Sequence, residues 1–211
     1  MAKIVNETEL IFDKNDIINK KRSLDTSVFR NNNVKGKDIT KIVLPNGITR
    51  IDYYAFSGYK SLQEINIPDS VTEIGFYAFY KCESLQKINI PDGVTYIGEG
   101  AFQYCKSLRE IHIPDSVAYI GERALEDCTS IYYKEQDITH LIYSYGSEEF
   151  DVIKSLYDND LPLTDDMFMN AFEAKKEDRL RGFLVKTKKR FSEREIPDID
   201  YSNFDDFNKE F

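Results

Sequence analysis

Residues 39–61 read ITKIVLPNGITRIDYYAFSGYKS, and the next three blocks of 23 residues repeat this phrase: LQEINIPDSVTEIGFYAFYKCES (62–84), LQKINIPDGVTYIGEGAFQYCKS (85–107) and LREIHIPDSVAYIGERALEDCTS (108–130). A fixed period of 20–50 residues is typical of a solenoid, in which each repeat forms one coil. A single coil cannot bury its apolar side alone, so successive coils must stack to form a continuous core. The repeat therefore predicts the architecture of this part of the chain.

The apolar residues of each repeat follow the pattern L-x-x-I-x-I, and a proline comes after the last of them. Alternating apolar residues are typical of a half-buried strand, because successive side chains point to opposite faces of a sheet. We therefore expect one parallel strand per coil, ended by the proline, with strands about 4.8 Å apart. The inward column of this register consists of Ile42, Ile65, Ile88 and Ile111.

Two further columns follow the strand in each repeat. Gly75, Gly98 and Gly121 share a column with Asp52, which predicts a backbone position of positive φ. The other column lies on a predicted short helical or 3₁₀ turn that fills the core, and it consists of Phe56, Phe79 and Phe102.

The cysteines of the chain, Cys82, Cys105 and Cys128, also share one column. Neighbouring thiols in stacked coils would lie within disulfide range. Three thiols in a line spanning roughly 10 Å cannot converge on one zinc ion, whose Zn–S bonds are about 2.3 Å. The pattern therefore favours buried, reduced cysteines over a metal centre.

The phrase I-x-I-P-x-x-V-T-x-I-G-x-x-A-F-x-x-C resembles the BspA-like class of leucine-rich repeats, which occurs in many bacterial and some protist proteins. The resemblance covers residues 39–130, with departures at Tyr59, where the family has Cys, and at Leu125, where it has Phe. It implies an α/β repeat solenoid, a right-handed leucine-rich-repeat coil of about four to five turns with an N-terminal cap and a C-terminal helical module. The family also implies adhesion or protein recognition without enzymatic activity.

Outside the repeats the composition changes at each end. We predict an N-terminal cap at 1–38, leucine-rich repeats at 39–135, a C-terminal helical cap at 136–191 and an acidic aromatic tail at 192–211. Within the helical cap, Ser147 and Thr164 are each positioned to cap a helix.

The residue patterns disfavour catalysis and nucleic-acid binding. His112 beside Glu110 has no nucleophile with a third orienting residue, and the sequence has no P-loop, no G-x-G-x-x-G after a strand and no H-E-x-x-H. A net charge of −9 would repel phosphate over most of the surface. We expect no enzyme activity, catalytic residue, metal or cofactor, and no direct nucleic-acid partner.

The outward strand positions are the candidate partner-binding residues. Along one outward column, positive and negative side chains alternate from one strand to the next. They either neutralise one another in a ladder that keeps the sheet soluble or contribute to a polar binding surface. The predicted binding residues are Glu64, Asn66, Lys87, Asn89, Glu110, His112 and Tyr133. Secondary contacts are expected from the aromatic residues of the tail, Tyr201, Phe204, Phe207 and Phe211.

The sequence thus predicts a non-enzymatic scaffold that binds an unidentified protein through the strand side of the solenoid. One alternative is a small acidic inhibitor, for example phage-encoded, of a nucleic-acid-handling enzyme. Another is a surface or secreted adhesin whose targeting segment has been removed. The first residues lack the apolar core of a signal peptide and no segment is apolar enough to insert into a membrane, which favours the cytoplasm. The oligomeric state stays open.

Overall fold

The computed structural model describes residues 3–5, 9–11, 17–18, 23–24, 39–176 and 179–193. The chain divides into two compact units, Met1–Asp151 and Val152–Phe211. The tail residues proposed as secondary contacts, Tyr201, Phe204, Phe207 and Phe211, lie outside the described residues. Most of the predicted N-terminal cap also lies outside them.

The strands of the first unit are short and recur along the chain. They are β1 (Lys3–Val5), β2 (Glu9–Ile11), β3 (Ile17–Ile18), β4 (Ser23–Leu24), β5 (Lys41–Val43), β6 (Arg50–Ile51), β7 (Glu64–Asn66), β8 (Glu73–Ile74), β9 (Lys87–Asn89), β10 (Tyr96–Ile97), β11 (Ile111–Ile113), β12 (Tyr119–Ile120), β13 (Ile131–Tyr133) and β14 (Gln136–Asp137).

The first three coils of the repeat each contribute one strand to each of two sheets, in which the repeat strands pair in parallel. The first sheet has the order β1-β2-β5-β7-β9 and the second has the order β12-β10-β8-β6-β4-β3. Strands β11, β13 and β14 form a separate third sheet. The paired strands of the repeats are offset by one repeat period, and β2 and β4 continue the two sheets by parallel pairing with β5 and β6.

The columns predicted to be interior are buried. Ile42, Ile65, Ile88 and Ile111 are each no more than 5% exposed. The phenyl ring of Phe79 stacks between those of Phe56 and Phe102, with centroid distances of 5.5 and 5.3 Å. These contacts confirm the predicted fold class, a solenoid of roughly four turns, because the buried columns run through successive coils.

In the turn that carries the phenylalanine column, the backbone N–H groups donate alternately to carbonyl groups of the same coil and of the next coil. The N–H of Ala55 donates to the Asp52 carbonyl at 3.2 Å, whereas the N–H of Phe56 donates to the Ala78 carbonyl at 2.8 Å. Two columns in this turn have positive φ: Tyr54, Tyr77, Gly100 and Arg123 form one, and Gly58, Lys81, Tyr104 and Asp127 form the other.

The predicted reason for the glycine column was wrong. Gly75, Gly98 and Gly121 are not among the residues of positive φ. Instead, these glycines leave room for the backbone of the preceding coil. A Cβ atom on Gly75 would lie 2.8 Å from the Ile51 carbonyl oxygen, and one on Gly121 would lie 2.4 Å from the Glu99 nitrogen.

The helices follow the last strands of the solenoid in the chain. Helix α1 spans Thr139–Tyr145 and a 3₁₀ turn spans Ser147–Glu149, followed by α2 (Phe150–Asp158), α3 (Asp165–Lys176) and α4 (Leu180–Glu193). The Thr164 hydroxyl accepts a hydrogen bond from the N–H of Met167 at 3.3 Å, as the predicted cap requires. Ser147 does not cap a helix, because its buried hydroxyl donates to the Gly121 carbonyl at 2.6 Å.

The cysteine column is buried and its thiols are free, as predicted. The Cys82 thiol donates to the Phe56 carbonyl and the Cys105 thiol to the Phe79 carbonyl, each at 3.2 Å. Burial raises the pKa of Cys105 to about 12, and it also raises the pKa of Cys82 and Cys128 above the ordinary value. We therefore expect the thiols to be protonated and unreactive at neutral pH.

We predict that Ile88→Asp unfolds the solenoid. The side chain at position 88 points into the core, so the new carboxylate would be buried without a partner and would lower the free energy of unfolding by about 3–5 kcal/mol. Urea unfolding followed by circular dichroism measures this loss. The matched control is Asn89→Asp, because residue 89 lies on the same strand but is exposed, and it should change stability by less than about 0.5 kcal/mol. An unchanged transition for Ile88→Asp would contradict the register.

We also predict that Gly121→Ala destabilises the solenoid by about 1–3 kcal/mol, since the added methyl group would overlap the Glu99 backbone. The control is Gly182→Ala in α4, where a Cβ atom meets nothing within 4 Å. That change should stabilise the helix by up to about 1 kcal/mol, because alanine has the higher helix propensity. Equal thermal midpoints for Gly121→Ala and the unmodified protein would rule out close coil contact as the reason for glycine.

For the thiols, we expect a thiol reagent at pH 8 to label the native protein slowly and the denatured protein rapidly at all three cysteines. The reason is that the raised pKa values leave little thiolate, and burial blocks access to the sulfur. Mass spectrometry of the labelled protein identifies the sites. Rapid native labelling of Cys105 would show that this column is open to solvent.

Candidate interaction surfaces

The outward side chains of the strands form one polar surface, here called the strand face. Pairing aligns Lys41 with Glu64 and Glu64 with Lys87, and it aligns Asn66 with Asn89. These strands hold their side chains in a fixed register before any partner binds. The strand face comprises Lys41, Val43, Glu64, Asn66, Lys87, Asn89, Glu110, His112 and Tyr132.

The charges of the strand face form isolated pairs. Lys41 Nζ lies 3.9 Å from Glu64 Oε1, and His112 Nε2 lies 3.8 Å from Glu110 Oε1. Within residues 39–176, Lys87 makes no ion pair with a carboxylate. Exposed pairs at this separation contribute at most about 1 kcal/mol. A continuous self-neutralising ladder therefore does not form.

The prediction that Tyr133 lies on the outward surface was wrong. Strand β13 pairs with β11 so that Tyr132 aligns with His112 and Tyr133 with Ile113, three residues short of the repeat period. Tyr133 is consequently buried, its hydroxyl donates to Asp115 Oδ1 at 2.6 Å, and its ring meets Phe150 edge-on at 5.1 Å. Because this coil is three residues shorter, the residue that a 23-residue period places outward points into the core, and the residue before it points outward.

Tyr132 takes the outward position instead and was missed by the sequence analysis. Its ring stacks on the His112 imidazole with a centroid distance of 5.0 Å and an interplanar angle of 15°. Aromatic side chains with a polar tip are common anchors at protein interfaces. The neighbouring strand-face predictions at Glu64, Asn66, Lys87, Asn89, Glu110 and His112 are all exposed, as a binding role would require.

A second surface, here called the aromatic stripe, also escaped the sequence analysis. Its rings stack between neighbouring coils, with centroid distances of 4.9 Å for Tyr53 with Phe76 and 5.2 Å for Tyr54 with Tyr77. Tyr53 and Tyr54 are at least half exposed, and the Arg50 guanidinium lies 4.4 Å from the Tyr53 ring centre. The signal was present as aromatic residues one repeat apart in the sequence. The stripe consists of Tyr53, Tyr54, Phe76, Tyr77, Tyr96 and Tyr119.

Two further observations bear on the chemistry available to the chain. Among the residues described, no three His, Cys, Asp or Glu side chains lie close enough together to hold a metal ion. The helices within the same residues include none with the length and apolar character needed to span a membrane.

Comparison with solved structures finds leucine-rich repeat proteins from bacteria. A leucine-rich repeat protein from T. pallidum is 26% identical, with 62% of this chain and 67% of that chain covered and a TM-score of 0.47. One from Bacteroides ovatus is 28% identical, covering 63% of this chain and 38% of that chain with a TM-score of 0.48. A leucine rich cell surface protein from Faecalibacterium prausnitzii is 28% identical, covering 46% and 32% with a TM-score of 0.42. The alignments thus span less than half of the latter two chains.

The comparison with curated proteins finds no significant match. The sequence model of the BspA type leucine rich repeat region matches residues 22–157 in 6 copies, which is more than half of the chain. Proteins with these repeats are generally non-enzymatic, and the family suggests a protein-interaction scaffold or an adhesin-like role. The repeats, the stacked buried columns and this match lead to one conclusion: the chain belongs to the BspA-type leucine-rich repeat family.

Proposed function

We propose that this protein is a non-enzymatic scaffold that binds a protein partner through the strand face. The observation that carries the proposal is the exposure of polar side chains on strands whose register is already fixed by hydrogen bonds. A rigid surface loses little conformational entropy on binding, so more of its contact energy appears as affinity. Repeat solenoids characteristically bind through such extended surfaces.

The chemistry of the strand face suits a polar protein surface. Asn66 and Asn89 align on neighbouring strands, and each amide offers both a donor and an acceptor. Lys87 adds a cation without an ion-pair partner in residues 39–176. The stacked pair of His112 and Tyr132 adds a flat aromatic anchor at one end. We therefore expect a partner that offers hydrogen-bonding groups along the strands and an apolar contact at that end.

The aromatic stripe is the competing surface on the same unit. Its rings already stack on one another through their faces, so a partner meets mainly ring edges and hydroxyl groups. The Tyr77 hydroxyl is engaged as well, since it donates a hydrogen bond to the Glu99 carboxylate. These internal contacts favour a stabilising role for the stripe. The tail residues Tyr201 and Phe204 and their neighbours remain proposed secondary contacts.

The test begins with affinity purification from the source cell and continues with the purified partner. We expect the triple substitution Asn89→Ala, Glu110→Ala and His112→Ala to weaken binding by tenfold or more, because it removes hydrogen-bonding groups and the ring that stacks on Tyr132. A chain truncated after Phe191 should bind within about threefold of the full chain, a difference of roughly 0.65 kcal/mol. Isothermal titration calorimetry measures both affinities.

The matched control replaces exposed aromatic residues elsewhere on the same unit, with Tyr54→Ala and Tyr119→Ala on the stripe. Each variant must first show the circular dichroism spectrum of the unmodified protein. If the stripe variant or the truncated chain loses the partner while the triple variant keeps it, the strand face is not the principal site.

A further inference from the structure

The sheet that carries the strand face is interrupted between β9 and β11. Strands β5, β7 and β9 are joined by a ladder of hydrogen bonds, whereas β11 belongs to a different sheet. Just before these strands, the N–H of Gln63 donates to Thr40 and the N–H of Gln86 donates to Gln63 at 3.3 Å. The equivalent bond from Arg109 to Gln86 is not formed. The hydrogen bonds between these two coils are therefore interrupted on the strand side, where β9 and β11 remain neighbours.

The same two coils remain bonded on their other sides. The N–H of Gly121 donates to the Ile97 carbonyl and the N–H of Phe102 donates to the Ala124 carbonyl, each at 2.8 Å. Strands β10 and β12 are also paired. The opening is therefore local, and the buried columns behind it stay continuous.

A groove of about 500 Å³ lies at this opening. Its lining contains two cationic side chains, two hydroxyl groups and one carboxamide, and no carboxylate. Arg109, one of the lining residues, also has a backbone N–H that does not form the repeat-related bond to Gln86. Such a set of donors is unusual on a chain whose net charge is −9. The lining residues are Gln86, Lys106, Ser107, Arg109 and Thr129.

The positive charges of this groove are not neutralised by an ion pair within residues 39–176. Within residues 39–176, neither Lys106 nor Arg109 makes an ion pair with a carboxylate, and both are exposed. By contrast, Lys60 lies 2.9 Å from Glu83, and its hydrogen bond is the main cause of the lowered pKa of that carboxyl group. Lys106 adds a smaller attraction to Glu83 without contacting it. The positive charge at the groove thus remains available to a ligand.

We propose that this groove binds a phosphoryl group carried by a side chain of the protein partner. A phosphoryl group has a charge of about −1.5 to −2 and three acceptor oxygens, which match two cations and several donors. Arg109 offers a planar fork for bidentate contact, and Lys106 offers a point charge. A carboxylate has only two oxygens and one charge, so it would leave part of this donor set unused.

The groove also adjoins the strand face along the chain. Gln86 immediately precedes Lys87, and Arg109 immediately precedes Glu110. A partner lying on the strand face could therefore place a phosphorylated residue in the opening. The source of the phosphoryl group rests on the proposed function, whereas the affinity of the groove for a phosphoryl dianion does not.

The first experiment titrates the ¹⁵N-labelled full chain by NMR with inorganic phosphate and with a capped neutral pentapeptide that has a central phosphoserine. Both probes should shift the amide signals of Ser107, Arg109 and Thr129 saturably, and the phosphopeptide should bind more tightly than free phosphate. The same peptide with serine or glutamate at the centre should bind at least tenfold more weakly. Arg109→Gln and Lys106→Gln should each weaken phosphopeptide binding about tenfold.

The matched control is Arg123→Gln, which removes the same charge from an exposed residue outside the groove that pairs with Glu122. It should leave the phosphopeptide affinity within twofold. An equal loss for Arg123→Gln and Arg109→Gln, or shifts that never saturate, would show diffuse attraction and overturn the site. Equal binding of the glutamate peptide would overturn the phosphoryl assignment. Phosphopeptide binding no tighter than inorganic phosphate would overturn the peptide as its source.

Once the partner has been identified and purified, phosphatase treatment of that partner should weaken its binding to the unmodified chain at least fivefold. The same treatment should not change the affinity of the partner for the Arg109→Gln variant, because that variant has already lost its contact with the phosphoryl group. If phosphatase has no effect while the strand-face triple substitution still abolishes binding, this inference fails and the proposed function stands. If the groove binds the phosphopeptide but the triple substitution leaves partner binding intact, the proposed function fails instead.

Discussion

Hydrogen bonds between the backbones of successive coils are the constraint on which this structure depends. A coil of 23 residues has too few internal partners for its own N–H and C=O groups, so it must satisfy many of them on its neighbours. These bonds draw the coils so close that a Cβ atom at Gly98 would lie 2.7 Å from the Phe76 nitrogen. The period of the sequence follows from this geometry, since every position must meet its own equivalent in the next coil.

The interior of the solenoid could be predicted from sequence because burial leaves a direct periodic signal. The isoleucine, phenylalanine and cysteine columns are all buried, since an inward position in one coil is inward in the next. The glycine column was predicted for the wrong reason, because a repeated glycine indicates either positive φ or close packing. The backbone shows that positive φ lies elsewhere, at non-glycine residues such as Tyr54 and Tyr77.

The candidate surfaces were less predictable because they depend on departures from the period. Tyr133 was placed outward by counting 23 residues from Glu110, but β13 aligns with β11 three residues earlier and turns that ring into the core. The groove lies where a hydrogen bond is missing between two coils with almost the same sequence as their neighbours. A repeat pattern predicts which bonds are usual and does not predict where one fails.

The interrupted strand ladder is compatible with a stable solenoid because its cost is small and local. A backbone hydrogen bond contributes only about 0.5–1.5 kcal/mol net when its groups can turn to water, and the groove is open to solvent. The core on the other side of the same coils is unaffected, since the N–H of Phe102 still donates to the Ala124 carbonyl at 2.8 Å and the Ile88 and Ile111 side chains remain buried. A repeat protein can thus open one edge of its sheet to make a polar binding groove while the buried columns keep the coils together.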